Sequence, residues 1–425
     1  MAATAVISLH QDLRPLRIRE FRIFWVGHAV SCLGDGMVPL VTAFAVIGQG
    51  GGAVELGTVL AVGMLCRLVA TLIGGVVADR LPRRRVMACA DGVRCLSQLS
   101  LGVLAATGHG SALVLAVGNA VYGIAAGFHG PASKGLMPSL VGKELLQQAA
   151  ALQSLVRSAS MIAGPVVAGM LIPLVGTKAV YFLDSGTFAV NFVALLMLPA
   201  ATARGMRGQS FAADLVQGWS EIVSRRWVAA NLVVHALWNF GMAVFFVLGP
   251  VLAQQRFGGA AAWGVVSAGM AVGALVGGVI ALRWRPRLPL VAGNLVLAAS
   301  VLPLLTLWLE LPMAWVVVAA AVGDCCMILL NTLWDATLQR VIPEQVLSRV
   351  SSYDFLLTVV SMPLAYALIG PLTEQIGTSG VLLAGAALVA VPCVLVCLLP
   401  AVRGITGPQR AVEPAPRPEA TAEAV

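Results

Sequence analysis

Charge is scarce in this chain. Asp, Glu, Lys and Arg make up 11% of its 425 residues, against about 25% in an ordinary soluble domain. Polar blocks of domain size are missing too, because apolar runs of about 20 residues recur nearly end to end. A folded soluble module is therefore excluded, and function must be sought among helices. No GxxxxGK[ST] stretch occurs, so the chain has no P-loop ATPase motor and must draw on an ion gradient or a partner. HExxH, a nucleophile with its base, and paired catalytic acids are also missing, which argues against an intramembrane enzyme. The eight cysteines all fall in apolar stretches without nearby histidines or paired CxxC motifs. They read as free core thiols, and neither a metal nor another cofactor is expected.

What is present is apolar: 59% hydrophobic residues and a mean hydropathy of +0.91. This predicts an all-α polytopic membrane protein. Twelve spans are expected, near 22–48, 56–79, 86–107, 111–131, 149–173, 177–199, 228–254, 261–283, 288–309, 313–337, 349–371 and 378–400. The net charge of +8 is spread over short loops, which favours a topological reading over nucleic-acid binding. With the N-terminus inside, 22 of the 27 Lys and Arg residues fall in cytoplasmic segments and only Lys178 and Arg256 outside. The positive-inside rule supports that orientation, with both termini cytoplasmic.

The domain organisation follows. Residues 1–21, which carry Arg14, Arg17 and Arg19 without a suitable cleavage site, read as a cytoplasmic tail. Residues 22–199 form one set of six spans and 228–400 a second. Between them, 200–227 carries Phe211, Leu215, Trp219, Ile222 and Val223 at helical spacing, an amphipathic helix for the inner membrane surface. Residues 401–425, rich in Pro, Ala and Glu, are expected to be a disordered cytoplasmic tail. An internal repeat supports the division. Val141 to Leu171, with Glu144, Leu146, Gly164 and Gly169, lies over Ile342 to Leu372, with Gln345, Leu347, Ala365 and Gly370, at an offset of 201. Gly74, Gly75 and Arg80 correspond to Gly277, Gly278 and Arg283 at an offset of 203.

The most informative stretch runs from Gly74 to Arg85, where an apolar run ends in Asp79 followed by Arg80, Arg83, Arg84 and Arg85. Glycines there let a neighbouring helix approach, Asp79 can pair with a base, and the arginines stay in cytoplasmic water. Within the predicted spans, Asp35, Arg67, Arg94, Arg157 and Asp324 each need a partner or water, since a charge at the bilayer centre costs at least about 2.5–3.5 kcal/mol. Asp35 lies halfway through the first span, and alternation between an apolar and a base-lined environment would let it load and release a proton. A permanent structural pair with Arg67 is the alternative. Asp324 is the second proton or cation candidate, with helix packing as its alternative. Asp91 and Arg94 share one helical face, either as a local ion pair or as part of a gate in which Arg94 exchanges partners with Asp79.

Gly75 to Arg85, Leu33-Gly34-Asp35, Asp91 with Arg94, and Gly164-Pro165 together resemble the major facilitator superfamily. More narrowly, they resemble its twelve-helix bacterial drug and metabolite efflux branch, over about residues 14–400. Pro82 departs from the glycine that the family pattern favours, and Leu282 stands where Asp79 does in the first half, so any latch is asymmetric. The resemblance implies two pseudo-symmetric six-helix bundles around a central cavity and alternating access. It also implies that the helix 5 bend at Gly164, Pro165 and Gly169 serves antiport, although a generic kink would use the same residues. Cavity candidates are Asn119, Tyr122, Trp238, Asn239, Phe245 and Asn331, each explicable also by packing. The expected function is proton-driven export of a small amphipathic compound by a monomer in the bacterial cytoplasmic membrane. The alternatives are metabolite uptake by the same architecture and a non-transporting membrane sensor or assembly partner.

Overall fold

The computed structural model describes residues 13–142, 144–199 and 222–407. Nine helices among the described residues are long and apolar enough to cross a membrane. Two of these are double. Leu146–Leu196 turns back at Gly176, whose φ of 78° is left-handed, and Glu344–Val396 does so at Gly377 with φ 73°. Gly176 and Gly377 lie 201 residues apart, the offset of the internal repeat.

Splitting these two at their glycines makes eleven, and the helix Arg83–Ala106, which is not among the nine, is the twelfth: α1 (Arg19–Gly48), α2 (Ala53–Arg80), α3 (Arg83–Ala106), α4 (Ala112–Val141), α5 (146–175), α6 (177–196), α7 (Arg226–Arg256), α8 (Ala260–Ala281), α9 (Pro289–Trp308, with a 3-10 turn at Ala299–Val301), α10 (Met313–Val341), α11 (344–376) and α12 (378–396). The first six helices form one bundle and the last six another. The chain is a multi-pass, all-α membrane protein.

Some of the predicted boundaries shift. α4 runs to Val141, ten residues beyond its expected end, because Pro131 and Pro138 are carried within the helix. Residues 401–407, assigned from sequence to a tail, instead begin with a helical turn, Pro400–Arg403, and Gly407 N–H then donates to Arg287 O at 2.7 Å. The amphipathic residues Phe211, Leu215 and Trp219 lie outside the described residues.

Helix starts and tight loops are specified locally. The Ser111 hydroxyl accepts from Val114 N–H at the start of α4, and Glu55 accepts from Gly52 N–H at 2.7 Å at the start of α2. The α9–α10 loop is pinned by Arg256, whose Nη2 donates to Glu310 at 2.7 Å.

Because successive helices alternate direction, the loop at Leu81–Pro82 and those at Gly142, before Arg226, and at Arg283–Arg287 share one end, here called the basic end. The cores are distributed unequally between the two ends. Away from the basic end one cluster joins both bundles, bringing Met37, Phe44 and Tyr181 together with Phe245, Trp263 and Ile369. Toward the basic end, Phe21, Phe24, Met87 and Leu195 form a core within the first bundle, and Trp227, Leu290 and Trp334 form one within the second.

The bundles meet through small residues, as expected where lipid supplies no hydrophobic drive for helix association. A Cβ on Gly57 of α2 would lie 2.3 Å from Tyr366 O of α11, and one on Gly370 would lie 2.4 Å from Val54 Cα. Across the other seam, a Cβ on Gly169 of α5 would lie 2.7 Å from Gly264 Cα of α8. These crossings are all at the end away from the basic loops.

Candidate transport site

Asp91, Arg94 and Gln98 recur at intervals of three and four on α3, which places them on one face turned into the first bundle. Asp91 and Arg94 are buried, with side chains 0% and 1% exposed. Arg94 is the hub. Its Nη1 donates to Asp35 Oδ1 at 2.8 Å and to Oδ2 at 3.1 Å, its Nη2 donates to Asp91, and its guanidinium carbon lies 4.4 Å from the centre of the Phe188 ring. Asp35 also accepts from the Tyr122 hydroxyl of α4 and keeps 37% of its side chain accessible. One carboxylate of the hub is therefore reachable and the other is sealed.

Four helices, α1, α3, α4 and α6, contribute side chains to this hub. Asn191 of α6 donates to Asp91 Oδ2 at 2.6 Å, and His129 Nε2 of α4 lies 3.6 Å from the same oxygen. His129 stacks on His28 of α1 at 5.8 Å, and His28 stacks on Phe24 at 5.6 Å. A further carboxylate, Asp184 of α6, is 0% exposed and accepts from Gln98. Close packing of α1 makes this proximity possible: a Cβ on Gly34 would lie 2.2 Å from Asp184 Oδ1, and one on Gly27 would lie 2.7 Å from Asn191 Oδ1.

The pairing expected of Asp35 needs correction. Its ionic partner is Arg94, and Arg67 is exposed on α2 rather than buried. Arg157 on α5 is exposed as well. Equal depth along two helices did not distinguish a side chain pointing into the bundle from one pointing out of it. Asp324 is half-buried on α10 and makes no ion pair or hydrogen bond among the described residues. It stands 201 residues after Gly123, which packs so closely on α2 that a Cβ there would lie 2.2 Å from Gly63 O.

At the basic loop, Arg83 donates to Gly135 O, and Arg84 donates to the carbonyls of Leu196 and Leu198. Arg80 and Arg85 are exposed, and the Asp79 side chain lies outside the described ones. Of the two glycines expected to let a helix approach, Gly74 does so, since a Cβ there would lie 3.0 Å from Gly127 O, whereas one on Gly75 meets nothing within 4 Å. In helix 5, a Cβ on Gly164 would lie 2.4 Å from the Gly36 backbone, and Pro165 follows it inside the helix.

Several cavity candidates make packing or hydrogen-bond contacts within the bundles. Phe245 is 0% exposed and packs 5.0 Å from Trp263 in the joint core, because that core closes over its side of α7. Asn119 reaches Val59 O of α2 at 3.5 Å, Asn239 donates to His235 O at 2.8 Å within its own helix, and Trp238 donates to Ser300 at 2.6 Å. Asn331 is exposed on α10, and Tyr122 alone among these candidates joins the charged hub.

Asp184, Asn191, Gln98 and His28 were missed by sequence reasoning. The signal for Asp184 was available, since it lies within the sixth predicted span and the penalty applied to Asp35 applies to it equally. His28 and Asn191 are neutral polar residues with no comparable signal.

Residues 24–366 match the model of the Major Facilitator Superfamily. The chain is a member of that family. It is 23% identical over 370 residues to macrolide efflux protein A of Streptococcus pyogenes, covering 85% of this chain and 91% of that one. To the enterobactin exporter EntS of Citrobacter koseri it is 25% identical over 403 residues, covering 93% and 95%. The solved structure of the nucleoside transporter NupG superposes with a TM-score of 0.71 at 12% identity, covering 89% of this chain and 98% of that chain. As a superfamily member with efflux relatives, the chain is a transporter of small molecules and not an enzyme.

Proposed function

We propose that this transporter exports a small amphipathic organic compound in exchange for protons, by alternating access across a bacterial cytoplasmic membrane, as a monomer. The basic end and both termini face the cytoplasm in this reading, as the distribution of arginines favours. The bundles are joined away from that end and keep separate cores toward it, which is the arrangement of an inward-facing state. The export direction and the amphipathic cargo class are taken from the efflux relatives.

The observation that carries the coupling is the hub itself: Arg94 is shared between accessible Asp35 and sealed Asp91. One guanidinium neutralises one of the two carboxylates, so a surplus negative charge remains that a proton removes. Protonation of Asp35 leaves Arg94 with Asp91 alone and releases the tie between α1 and α3. Its loss to the cytoplasm restores the tie.

A mechanical path leads outward from this switch. α1 rests on α5 where Gly36 meets Gly164, and five residues further along α5 Gly169 rests on Gly264 of the other bundle. A shift of α1 is thereby delivered to the seam between bundles. In the same scheme, Asp79 with Arg80, Arg83, Arg84 and Arg85 latches the cytoplasmic side, and Asp324 supplies the second bundle's charged group toward a cationic cargo or a second proton.

The test uses everted vesicles loaded with a pH dye, in which ethidium serves as an amphipathic probe cation. Energised wild-type vesicles should accumulate ethidium and release protons from the lumen on its addition, and Asp35→Asn should lower both by at least about tenfold. Accumulation and proton release that are the same in wild-type and Asp35→Asn vesicles would remove Asp35 from coupling.

A further inference from the structure

We propose that the cleft between the α8–α9 loop and α10, at the basic end of the second bundle, binds the phosphodiester headgroup of an anionic phospholipid. The cleft is a cavity of about 300 Å³ whose walls include Leu282, Trp284, Arg285, Pro289, Leu333 and Arg340. Two guanidinium groups and an indole face a pocket whose remaining lining is largely apolar, and no acid is among the lining residues.

The arginines lining the cleft are tied down less than Arg83 and Arg84 of the first-half loop. In the first half, Arg83 and Arg84 are bound to backbone carbonyls of α4 and of the end of α6. In the second, Arg285 makes no hydrogen bond or ion pair among the described residues, and Arg340 donates to Thr406 O while still lining the cleft. Leu282, 203 residues after Asp79, removes the acid that the first-half loop carries.

Among the described residues, no acid lines the cleft to balance the charge of Arg285 and Arg340. Its surroundings choose the ligand: Trp284 is a residue type that anchors at the membrane interface, and Leu282, 75% exposed, offers an apolar surface beside the arginines. An amphiphile with an anionic head and an apolar body matches both parts, and the leaflet at a basic protein end supplies it. This inference is independent of the proton-coupling reading.

The test is quenching of tryptophan fluorescence in full-length protein reconstituted with brominated phosphatidylglycerol or brominated phosphatidylcholine. The Trp284 signal is the difference between wild type and Trp284→Phe. It should be quenched preferentially by the brominated phosphatidylglycerol, and Arg285→Ala should reduce that preference roughly fivefold, with Arg285→Ala/Arg340→Ala removing it. Equal quenching by the two lipids, or a preference that survives in the double variant, would overturn the site. Competition by millimolar inorganic phosphate, but not by chloride of matched ionic strength, would overturn the lipid as its ligand.

Discussion

At the residue scale, Arg94 ties two carboxylates from two helices together. It is 1% exposed and holds two carboxylates, so Arg94→Ala leaves buried Asp91 without its guanidinium partner, with only the Asn191 amide and the His129 ring beside it. The expected destabilisation is about 3–5 kcal/mol, measurable as a lowered midpoint of thermal unfolding in detergent, with Arg94→Lys falling between alanine and wild type because a point charge replaces the two-pronged fork. A midpoint for Arg94→Ala within a degree of wild type would refute the burial argument. Much of this hub was legible beforehand, because any charge within an apolar span must find a partner. The spacing of three put Asp91 and Arg94 on one face, but nothing in the sequence could bring Asp35, 59 residues away, to Arg94 and not to Arg67. That choice depends on which way each helix is turned, and it is made by packing.

At the element scale, the small residues of α1 and α5 do the positioning. A side chain at Gly164 would enter the backbone of Gly36, and overpacking of this kind costs roughly 1–3 kcal/mol. Gly164→Val should therefore lower stability and transport together. Gly169→Val should act differently, because its Cβ would enter the other bundle at Gly264 while the first bundle's own core is untouched. We expect it to disfavour the state closed at the end away from the basic loops, seen as a broadened distance distribution between spin labels on α2 and α11 at that end. An unchanged distribution would mean that the α5–α8 contact does not hold the seam. The glycine and proline of helix 5 were visible in the sequence as a place where a bend and a close helix contact are allowed, and the close contact at Gly164 is present. Their partners were not visible, since a glycine advertises the space it leaves and not the helix that fills it.

At the scale of the whole molecule, the two halves share a plan but not a chemistry. The repeat offset recovered from sequence, 201 residues, is the separation of the two glycines that end α5 and α11, so the two-bundle plan was readable in the chain. What the repeat concealed is asymmetry: the first bundle buries Asp91, Arg94 and Asp184 around Asp35, whereas Asp324 in the second stands without an ionic partner among the described residues. Pattern matching reports the positions that agree, and function sits where they differ. If Asp324 serves cargo and Asp35 serves coupling, Asp324→Asn should weaken ethidium transport at low probe concentration, raising the apparent KM severalfold, while protons released per ethidium stay unchanged. A lowered ratio in Asp324→Asn would move the coupling role to the second bundle.

The central claim is that proton movement and cargo movement meet at the bond between Asp35 and Arg94. The most direct test records proton flux and ethidium flux in the same oriented vesicles for wild type and Asp35→Asn under an imposed pH gradient. Gradient-driven ethidium accumulation accompanied by counterflow of protons in the wild type, with both lost in Asp35→Asn, is the predicted result; full gradient-driven accumulation with undiminished proton counterflow in Asp35→Asn would contradict it.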